Sequence, residues 1–188
     1  MIEEGILRLA GYAAQLRRVP RMGWLERGVG PCDAESVAEH GFGVAFWAML
    51  IADQASPPVD MGHVLRLALL HDLAEAILGD ISATSAALLG SAAKRAAERR
   101  ALDVILQGLP LQASYVEAWE EYNAAESIEA RIVKDADRLD LLLTALRYEA
   151  SGQQGLNDFW DRSHPDQFYT DVGRDLFRAL RAERKAQT

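Results

Sequence analysis

Apolar residues recur at helical spacing along almost the whole chain, and this periodicity restricts the fold more than any other feature. The stretch 3–18, for example, places isoleucine, leucine and alanine side chains three or four positions apart, which is the spacing that lines one face of an α-helix. We find no run of useful length in which apolar and polar residues alternate as they do in a half-buried β-strand. There is also no internal repeat and no low-complexity linker. The sequence therefore predicts a single all-α domain over residues 1–188.

Turn and capping residues divide this pattern into separate helices. Either Asp33 or Ser36 would cap the second helix, which ends at the sequence SPPVD because proline breaks helices. Asp60 would cap a third helix that continues to Leu78, and Gly79 would end it. The predicted elements are a first helix over 3–18, a loop over about 19–31, the two helices just described, further helices over about 92–108, 111–123 and 126–150, and a last amphipathic helix after a polar loop.

Charge and composition exclude several classes of function. The chain has 20 basic and 28 acidic residues, so its net charge is −8. Proteins that bind nucleic-acid polymers present broad cationic surfaces, so this charge argues against such a partner. No apolar stretch approaches the roughly 20 residues that span a bilayer. The acidic first residues are unlike the basic start of a signal peptide, and a single cysteine, Cys32, cannot form an internal disulfide. We therefore expect a cytoplasmic protein with no membrane and no nucleic-acid polymer as partner.

The segment LLHDLAEAILGD carries polar groups that a helix rich in leucine and alanine normally avoids. Its polar residues are His71, Asp72, Glu75 and Asp80. An unpaired buried charge costs several kcal/mol, so this segment either lies at the surface or faces a group such as a metal ion. Imidazole nitrogen and carboxylate oxygen together suit borderline divalent metals, namely Mn, Fe, Co, Ni or Zn. A site for a divalent transition-metal ion is therefore one explanation of this segment, and a position at the surface is the other.

Two further ligands would have to come from other parts of the chain. His40 lies in an otherwise apolar helix, where glycines at 41 and 43 permit close backbone approach. The sequence KDAD offers Asp135 and Asp137, and spacing alone does not choose between them because both adjoin apolar positions. Basic residues cluster in LRRVPRMGWLER, where they could contact a small phosphorylated ligand.

The order of these motifs, SVAEH, then LALLHDLAEAILGDI, then VKDADRLD, each on its own predicted helix, resembles that of the HD-domain metal-dependent phosphohydrolases. The resemblance is closest to their 5′-deoxynucleotidase branch and covers about 16–149. It implies a helical HD-domain bundle, and it selects Asp137, which follows Lys134 by three residues, leaving Asp135 for a salt bridge or solvent. The metal ligands that it implies are His40, His71, Asp72 and Asp137.

The same resemblance implies roles for residues around the metal. Glu75 and Asp80 match two acidic positions that support catalysis, and Arg21 matches the arginine that contacts the substrate phosphate. Arg18 or its neighbour at 17 would be a substitute for that arginine. Trp24 is the nearest match to a tryptophan that screens the sugar, but here a methionine follows the arginine directly and the tryptophan comes two residues later.

The activity implied by the resemblance is release of phosphate from (deoxy)nucleoside 5′-monophosphates by a homodimer. The resemblance also implies that a second metal would need extra histidines between the HD pair and the last aspartate. No histidine lies between Asp72 and Asp137, so we expect one metal ion. Two alternatives stay open at the level of sequence. The chain could hydrolyse another phosphoester, such as a nucleoside triphosphate, cyclic nucleotide, alarmone or biosynthetic intermediate. It could also be a non-catalytic protein that binds a metal or nucleotide.

Overall fold

The computed structural model describes residues 2–187, and every regular element in that range is helical. Pro20 and Ser36 form an isolated β-bridge outside any strand. The prediction of an all-α fold is therefore confirmed. The helices are α1 (Ile2–Gln15), α2 (Met22–Leu25), α3 (Val37–Ala52), α4 (Met61–Leu70), α5 (Glu75–Leu78), α6 (Ala83–Leu89), α7 (Ser91–Leu106), α8 (Gln112–Ala124), α9 (Ile128–Ala150), α10 (Asn157–Asp161) and α11 (Asp171–Gln187), with short 3₁₀ turns at Leu16–Arg18 and Pro165–Gln167. Among the described residues, no helix is both long enough and apolar enough to cross a bilayer.

The chain divides into two compact units, the first made of residues 2–41 and 69–120. In this unit α1 packs against α5 and α7, and α7 also contacts α5 and α6. Its large buried side chains include Trp24, Leu102, Ile105, Leu106 and Trp119. Gly5 on α1 allows close packing, since a Cβ there would lie 2.9 Å from Leu109 Cδ2.

The second unit comprises residues 42–68 and 121–187. Here α9 packs against α10 and α11. As its apolar pattern predicts, α9 is buried on several sides, and its buried residues are Ala130, Ile132, Val133, Asp135, Ala136, Leu139, Asp140, Leu142, Ala145 and Leu146. Each unit thus has its own buried core, and the prediction of a single domain over residues 1–188 stays a prediction.

The capping predictions are confirmed where the structure describes them. Ser36 and Glu39 form a capping box before α3, with the Ser36 Oγ accepting from the Glu39 amide at 3.2 Å and the Ser36 amide donating to Glu39 Oε2 at 2.7 Å. Asp60 Oδ1 accepts from the backbone amide of His63 at 3.1 Å. Gly79 follows the last residue of α5 with φ 74°, a conformation that favours glycine.

The prediction of one continuous helix from about 60 to 78 is wrong. α4 ends at Leu70, residues 71–74 form turns, and α5 begins only at Glu75. The predicted loop over 19–31 contains the short helix α2, and α6 and α10 also occur where no helix was expected. These three helices have seven residues or fewer, too few for a helical period to stand out in a sequence.

Candidate functional site

Three of the predicted metal ligands come together in the first unit. His40, His71 and Asp72 each offer a ligand atom within 4.8 Å of the other two. Asp72 Oδ2 lies 3.1 Å from His71 Nε2 and 3.8 Å from His40 Nε2. The imidazole rings stand edge to face, with their centroids 5.4 Å apart. Two imidazole nitrogens and a carboxylate oxygen are a donor set that borderline divalent metals accept, so this cluster could hold a metal ion.

Local structure brings these three side chains into position. His40 lies in the first turn of α3, where its amide donates to the Ser36 carbonyl at 3.0 Å, and its side chain is fully buried. His71 and Asp72 lie in the turn between α4 and α5 instead of on a helix face. The turn leaves His71 buried while Asp72 keeps partial exposure.

The segment that carries Arg21 is held beside the capping box of α3. The Arg21 amide donates to the Glu35 carbonyl at 2.8 Å, and the Val37 amide donates to the Val19 carbonyl at 2.8 Å. The Arg21 guanidinium then reaches the acidic cluster, where its Nη1 lies 3.2 Å from Asp72 Oδ2 and 3.5 Å from Asp80 Oδ1. Arg21 is therefore the cation that the structure places directly at these carboxylates.

Asp80 has a second partner in the same segment. The backbone amide of Met22 donates to Asp80 Oδ2 at 2.5 Å. The side chain of Asp80 is 8% exposed, so the carboxylate is largely enclosed between Arg21 and Met22. This backbone contact was not predicted from the sequence, because an amide carries no residue-specific signal.

Glu75 is buried at the start of α5 with an unusual electrostatic environment. Its Oε2 is buried and makes no hydrogen bond to another described residue. Burial, followed by the negative charges of Asp72 and Asp80, raises the pKa of Glu75 to about 10, although Arg21 and Lys94 oppose the shift. Glu75 thus holds a proton at neutral pH in the metal-free protein.

The pKa of Asp72 is shifted in the opposite direction. Burial would raise the pKa of the Asp72 carboxyl, but the charge and hydrogen bond of His71, with further help from Arg21 and His40, hold that pKa well below its usual value. The site therefore has one carboxylate that stays ionised and a neighbouring carboxyl that stays protonated. Such divergent pKa values are typical of functional sites.

The other residues that were predicted to contact the substrate are Trp24 and Arg18. Trp24 is 1% exposed, and its Nε1 donates to Glu35 Oε2 at 3.0 Å, so its indole forms part of the core of the first unit. Arg18 lies at the end of the first 3₁₀ turn, and its side chain is exposed. The side chain next to Arg21 that is accessible to a ligand is Met22, which is 37% exposed.

Asp135 and Asp137 lie on α9 in the second unit and differ in their partners. Asp135 is fully buried and accepts from the backbone amides of Tyr169 and Thr170, each at 2.8 Å, and from the Thr170 hydroxyl at 2.7 Å. The expectation that Asp135 forms a salt bridge or faces solvent is therefore wrong. Asp137 is partly exposed, and its Oδ2 accepts from the Tyr122 hydroxyl at 2.8 Å.

One charged residue near the acidic cluster was missed by the sequence analysis. Lys94 lies on α7 and forms an ion pair with Glu98 at 3.0 Å. Its charge acts on both Asp72 and Glu75. In the sequence SAAKRAAERR, a lysine followed by a glutamate four residues later is typical of a solvated helix face, so only the three-dimensional structure relates Lys94 to the site.

Comparison with known proteins finds a family model and curated relatives that match this chain. The family model described as "HD domain" matches residues 13–175. The mouse protein named 5′-deoxynucleotidase HDDC2 is 38% identical over 171 residues, which cover 86% of this chain and 82% of that protein. A relative from Schizosaccharomyces pombe, 5′-deoxynucleotidase hdd1, is 32% identical over 154 residues, which cover 78% of this chain and 74% of that protein.

Solved structures have the same fold. A conserved hypothetical protein from Pyrococcus furiosus matches with a TM-score of 0.79 and 35% identity, covering 95% of this chain and 99% of that one. A protein from Magnetospirillum magnetotacticum, described as a predicted metal-dependent phosphohydrolase, matches with a TM-score of 0.75 at 24% identity, covering 99% and 94% of the two chains; this likeness concerns the fold. With the family model matching most of its length, the chain belongs to the HD-domain family.

Proposed function

We propose that this protein is a metal-dependent phosphohydrolase that releases phosphate from (deoxy)nucleoside 5′-monophosphates. The observation that carries the proposal is the cluster of His40, His71 and Asp72, whose ligand atoms lie within 4.8 Å of one another beside Arg21. Curated relatives that are 38% and 32% identical to this chain are named 5′-deoxynucleotidases. The names of these relatives favour this substrate class over other phosphoesters.

The donor set supports one divalent transition-metal ion, and Co, Mn, Fe, Ni and Zn all accept such ligands. His40, His71 and Asp72 would hold the ion, with Asp137 as the fourth ligand that the family resemblance implies. The ionised state of Asp72 fits this role because ligands must be deprotonated to bind. When bound, a divalent ion would supply Lewis-acid polarisation of the phosphoryl group and activation of a water molecule.

Hydrolysis requires a water oxygen to form a bond to phosphorus while the bond from phosphorus to the sugar oxygen breaks. Arg21 would neutralise the non-bridging oxygens, because a guanidinium presents several donors to phosphate. Glu75, with its buried Oε2, would orient the attacking water. It would take the proton of that water only after losing its own, and the positive charge of a bound divalent ion would favour that loss because an opposite charge lowers the pKa of a carboxyl group. Asp80 would either donate a proton to the leaving sugar oxygen or orient the substrate.

A screen for phosphate release tests this proposal. The metal-stripped protein would be reloaded separately with Co, Mn, Fe, Ni, Zn and Mg and assayed with deoxynucleoside and nucleoside 5′-monophosphates, nucleoside triphosphates and cyclic nucleotides. We expect deoxynucleoside monophosphates to be the best substrates, with no turnover after chelation. Undiminished turnover in the stripped protein, or a clear preference for another phosphoester, would contradict the proposal. His71→Ala provides a matched control for contaminating phosphatases.

We also propose that the protein is a homodimer. The exposed side of α3 presents Phe42, Phe46 and Leu50 at successive four-residue intervals. The rings of Phe42 and Phe46 stack with centroids 6.2 Å apart, and a contiguous exposed apolar stripe marks an interaction surface. A second copy of this chain would bury the stripe, because symmetric dimers match one patch with itself.

We further propose that residues 1–188 form one HD domain and that the cytoplasm is the compartment in which it works. The single cysteine, Cys32, is exposed and has no second cysteine in this sequence to pair with, which fits a reducing compartment.

A further inference from the structure

Tyr122 is a buried aromatic residue whose hydroxyl group contacts one of the proposed metal ligands. It lies in the last turn of α8, within the second unit, and is 5% exposed. Its hydroxyl donates to Asp137 Oδ2 at 2.8 Å. A hydrogen bond to a carboxylate is stronger than one between neutral groups, and shielding from water strengthens it further. The hydroxyl therefore holds the Asp137 carboxylate in one orientation.

Lys134 holds the ring of Tyr122 from α9. Lys134 precedes Asp137 by three residues, so the two side chains lie on the same face of that helix. The Lys134 Nζ lies 3.5 Å from the centroid of the Tyr122 ring, which is well inside the range of a cation–π contact. Tyr122 is thus held at two points, at its ring face by Lys134 and at its hydroxyl by Asp137.

The end of α8 that carries Tyr122 is also tied to the start of α9. Glu121, the residue before Tyr122, accepts a hydrogen bond from the hydroxyl of Ser127, and Ser127 is the N-cap of α9. Arg131, in the first turn of α9, donates from its Nε to the Ala125 carbonyl at 3.0 Å. These two hydrogen bonds restrict movement of α8 along α9, so the contact between Tyr122 and α9 belongs to a rigid part of the second unit.

We propose that Tyr122 is a positioning residue for the metal site, which orients the carboxylate of Asp137 for binding the ion. This inference rests on the proposed function, in which Asp137 is the fourth metal ligand. A carboxylate has two oxygens, so a hydrogen bond to Oδ2 is compatible with ligation of a metal through Oδ1. Hydrogen-bond partners of this kind orient ligating carboxylates in metal sites. A side chain that is already held in one orientation also loses less conformational freedom when it binds an ion.

Binding of Co²⁺ to the metal-stripped protein tests this role, because the visible absorption of bound Co²⁺ reports both its affinity and its coordination geometry. Wild type, Tyr122→Phe and Tyr115→Phe would be titrated in competition with a chelator. Tyr122→Phe keeps the ring beside Lys134 and removes only the hydroxyl, while Tyr115→Phe is the control that makes the same chemical change earlier on α8. We expect Tyr122→Phe to bind Co²⁺ at least about tenfold more weakly, with an altered visible spectrum, and Tyr115→Phe to stay within about twofold of wild type.

Thermal unfolding of the stripped proteins distinguishes positioning of the ligand from a role in packing. An unchanged Co²⁺ affinity and spectrum for Tyr122→Phe would overturn the inference even if its unfolding temperature fell, because the hydroxyl would then serve packing alone. A stripped Tyr122→Phe protein without a cooperative unfolding transition would overturn it as well, since the fold itself would need the hydroxyl.

The variant Asp137→Asn and the phosphate-release assay separate this inference from the proposed function. If Asp137→Asn binds Co²⁺ like wild type, Asp137 is not a ligand and the role of Tyr122 is refuted, while phosphate release by wild type would still support the proposed function. A wild type that hydrolyses no phosphoester refutes the proposed function, whereas weaker Co²⁺ binding by Tyr122→Phe would still support the role of Tyr122.

Discussion

The pKa of Glu75 gives the metal-free protein a predictable dependence of stability on pH. The folded protein keeps a proton on Glu75 up to a pKa of about 10, whereas the ordinary value is 4.5. Above pH 4.5 the unfolded chain therefore binds fewer protons than the folded one, so the stability associated with this proton declines as the pH rises and is lost by about pH 10. Thermal unfolding of stripped wild type should show this decline, and Glu75→Gln should flatten it. Equal slopes for the two proteins would contradict the shifted pKa.

We expect substitutions of Glu75 and Asp72 to have different effects on turnover and metal content. Glu75→Gln should keep the metal and lose turnover by about 100-fold or more, because it removes a proton acceptor without removing a ligand. Asp72→Ala should lose the metal itself. Elemental analysis beside steady-state kinetics separates the two effects. A metal-free Glu75→Gln protein would make Glu75 a ligand and would overturn its proposed role.

The two aspartates of α9 form a matched pair for a third prediction. Asp137→Asn should lower metal content, since the family resemblance assigns Asp137 as a ligand. Asp135→Asn should retain metal but lower the free energy of unfolding by roughly 1–3 kcal/mol, because a buried carboxylate that accepts three hydrogen bonds would be replaced. Metal analysis and chemical denaturation distinguish these outcomes. The reverse pattern would exchange the two roles.

At the scale of elements, the approach of α3 and α9 within the second unit depends on Gly43. A Cβ at this position would overlap the carboxylate of Asp140, so Gly43→Ala should lower the free energy of unfolding by roughly 1–3 kcal/mol through overpacking. Gly41→Ala is the control on the same helix, because no atom beyond its chain neighbours and the nearby backbone of its own helix lies within 4 Å of the added methyl group. Alanine favours helix over glycine, so this control should be neutral or stabilising. Equal destabilisation by both substitutions would contradict the packing argument.

The sequence predicted long helices better than the segments that form the site. Helical periodicity and capping residues located α3, α7, α8 and α9 closely, because each spans several turns. The break at 71–74 was missed, since LLHDLAEAILGD keeps helical spacing across it. The short helices α2 and α6 were missed for a different reason, because four and seven residues are too few for a helical period to stand out in a sequence.

Some residues of the site could be predicted from the sequence, and others could be found only from the three-dimensional structure. His40, His71 and Asp72 were recognised from their motifs, and the structure brings their ligand atoms together. The assignment of Trp24 came from the family resemblance, which does not reveal that its indole is buried and bonded to Glu35. The Met22 amide reaches Asp80 through tertiary packing, which leaves no local sequence pattern that could predict the contact.

At the scale of the whole molecule, the apolar stripe of α3 predicts self-association. Phe42→Glu combined with Phe46→Glu should convert a dimer into a monomer, because charges would replace the apolar centre of the interface. Leu88→Glu is the control, since Leu88 is an apolar residue of α6 that is 87% exposed. Light scattering after size-exclusion chromatography measures the mass. A monomeric wild type, or a double variant that stays dimeric, would rule out this interface.

The backbone and the side chain of Met22 have separate roles. The backbone amide of Met22 donates a hydrogen bond to Asp80, while the Met22 side chain remains 37% exposed beside Arg21. Any residue except proline can supply that amide. Position 22 can therefore be varied in a library without removing the hydrogen bond to Asp80, and the effect of each side chain on substrate preference can be measured with that hydrogen bond unchanged.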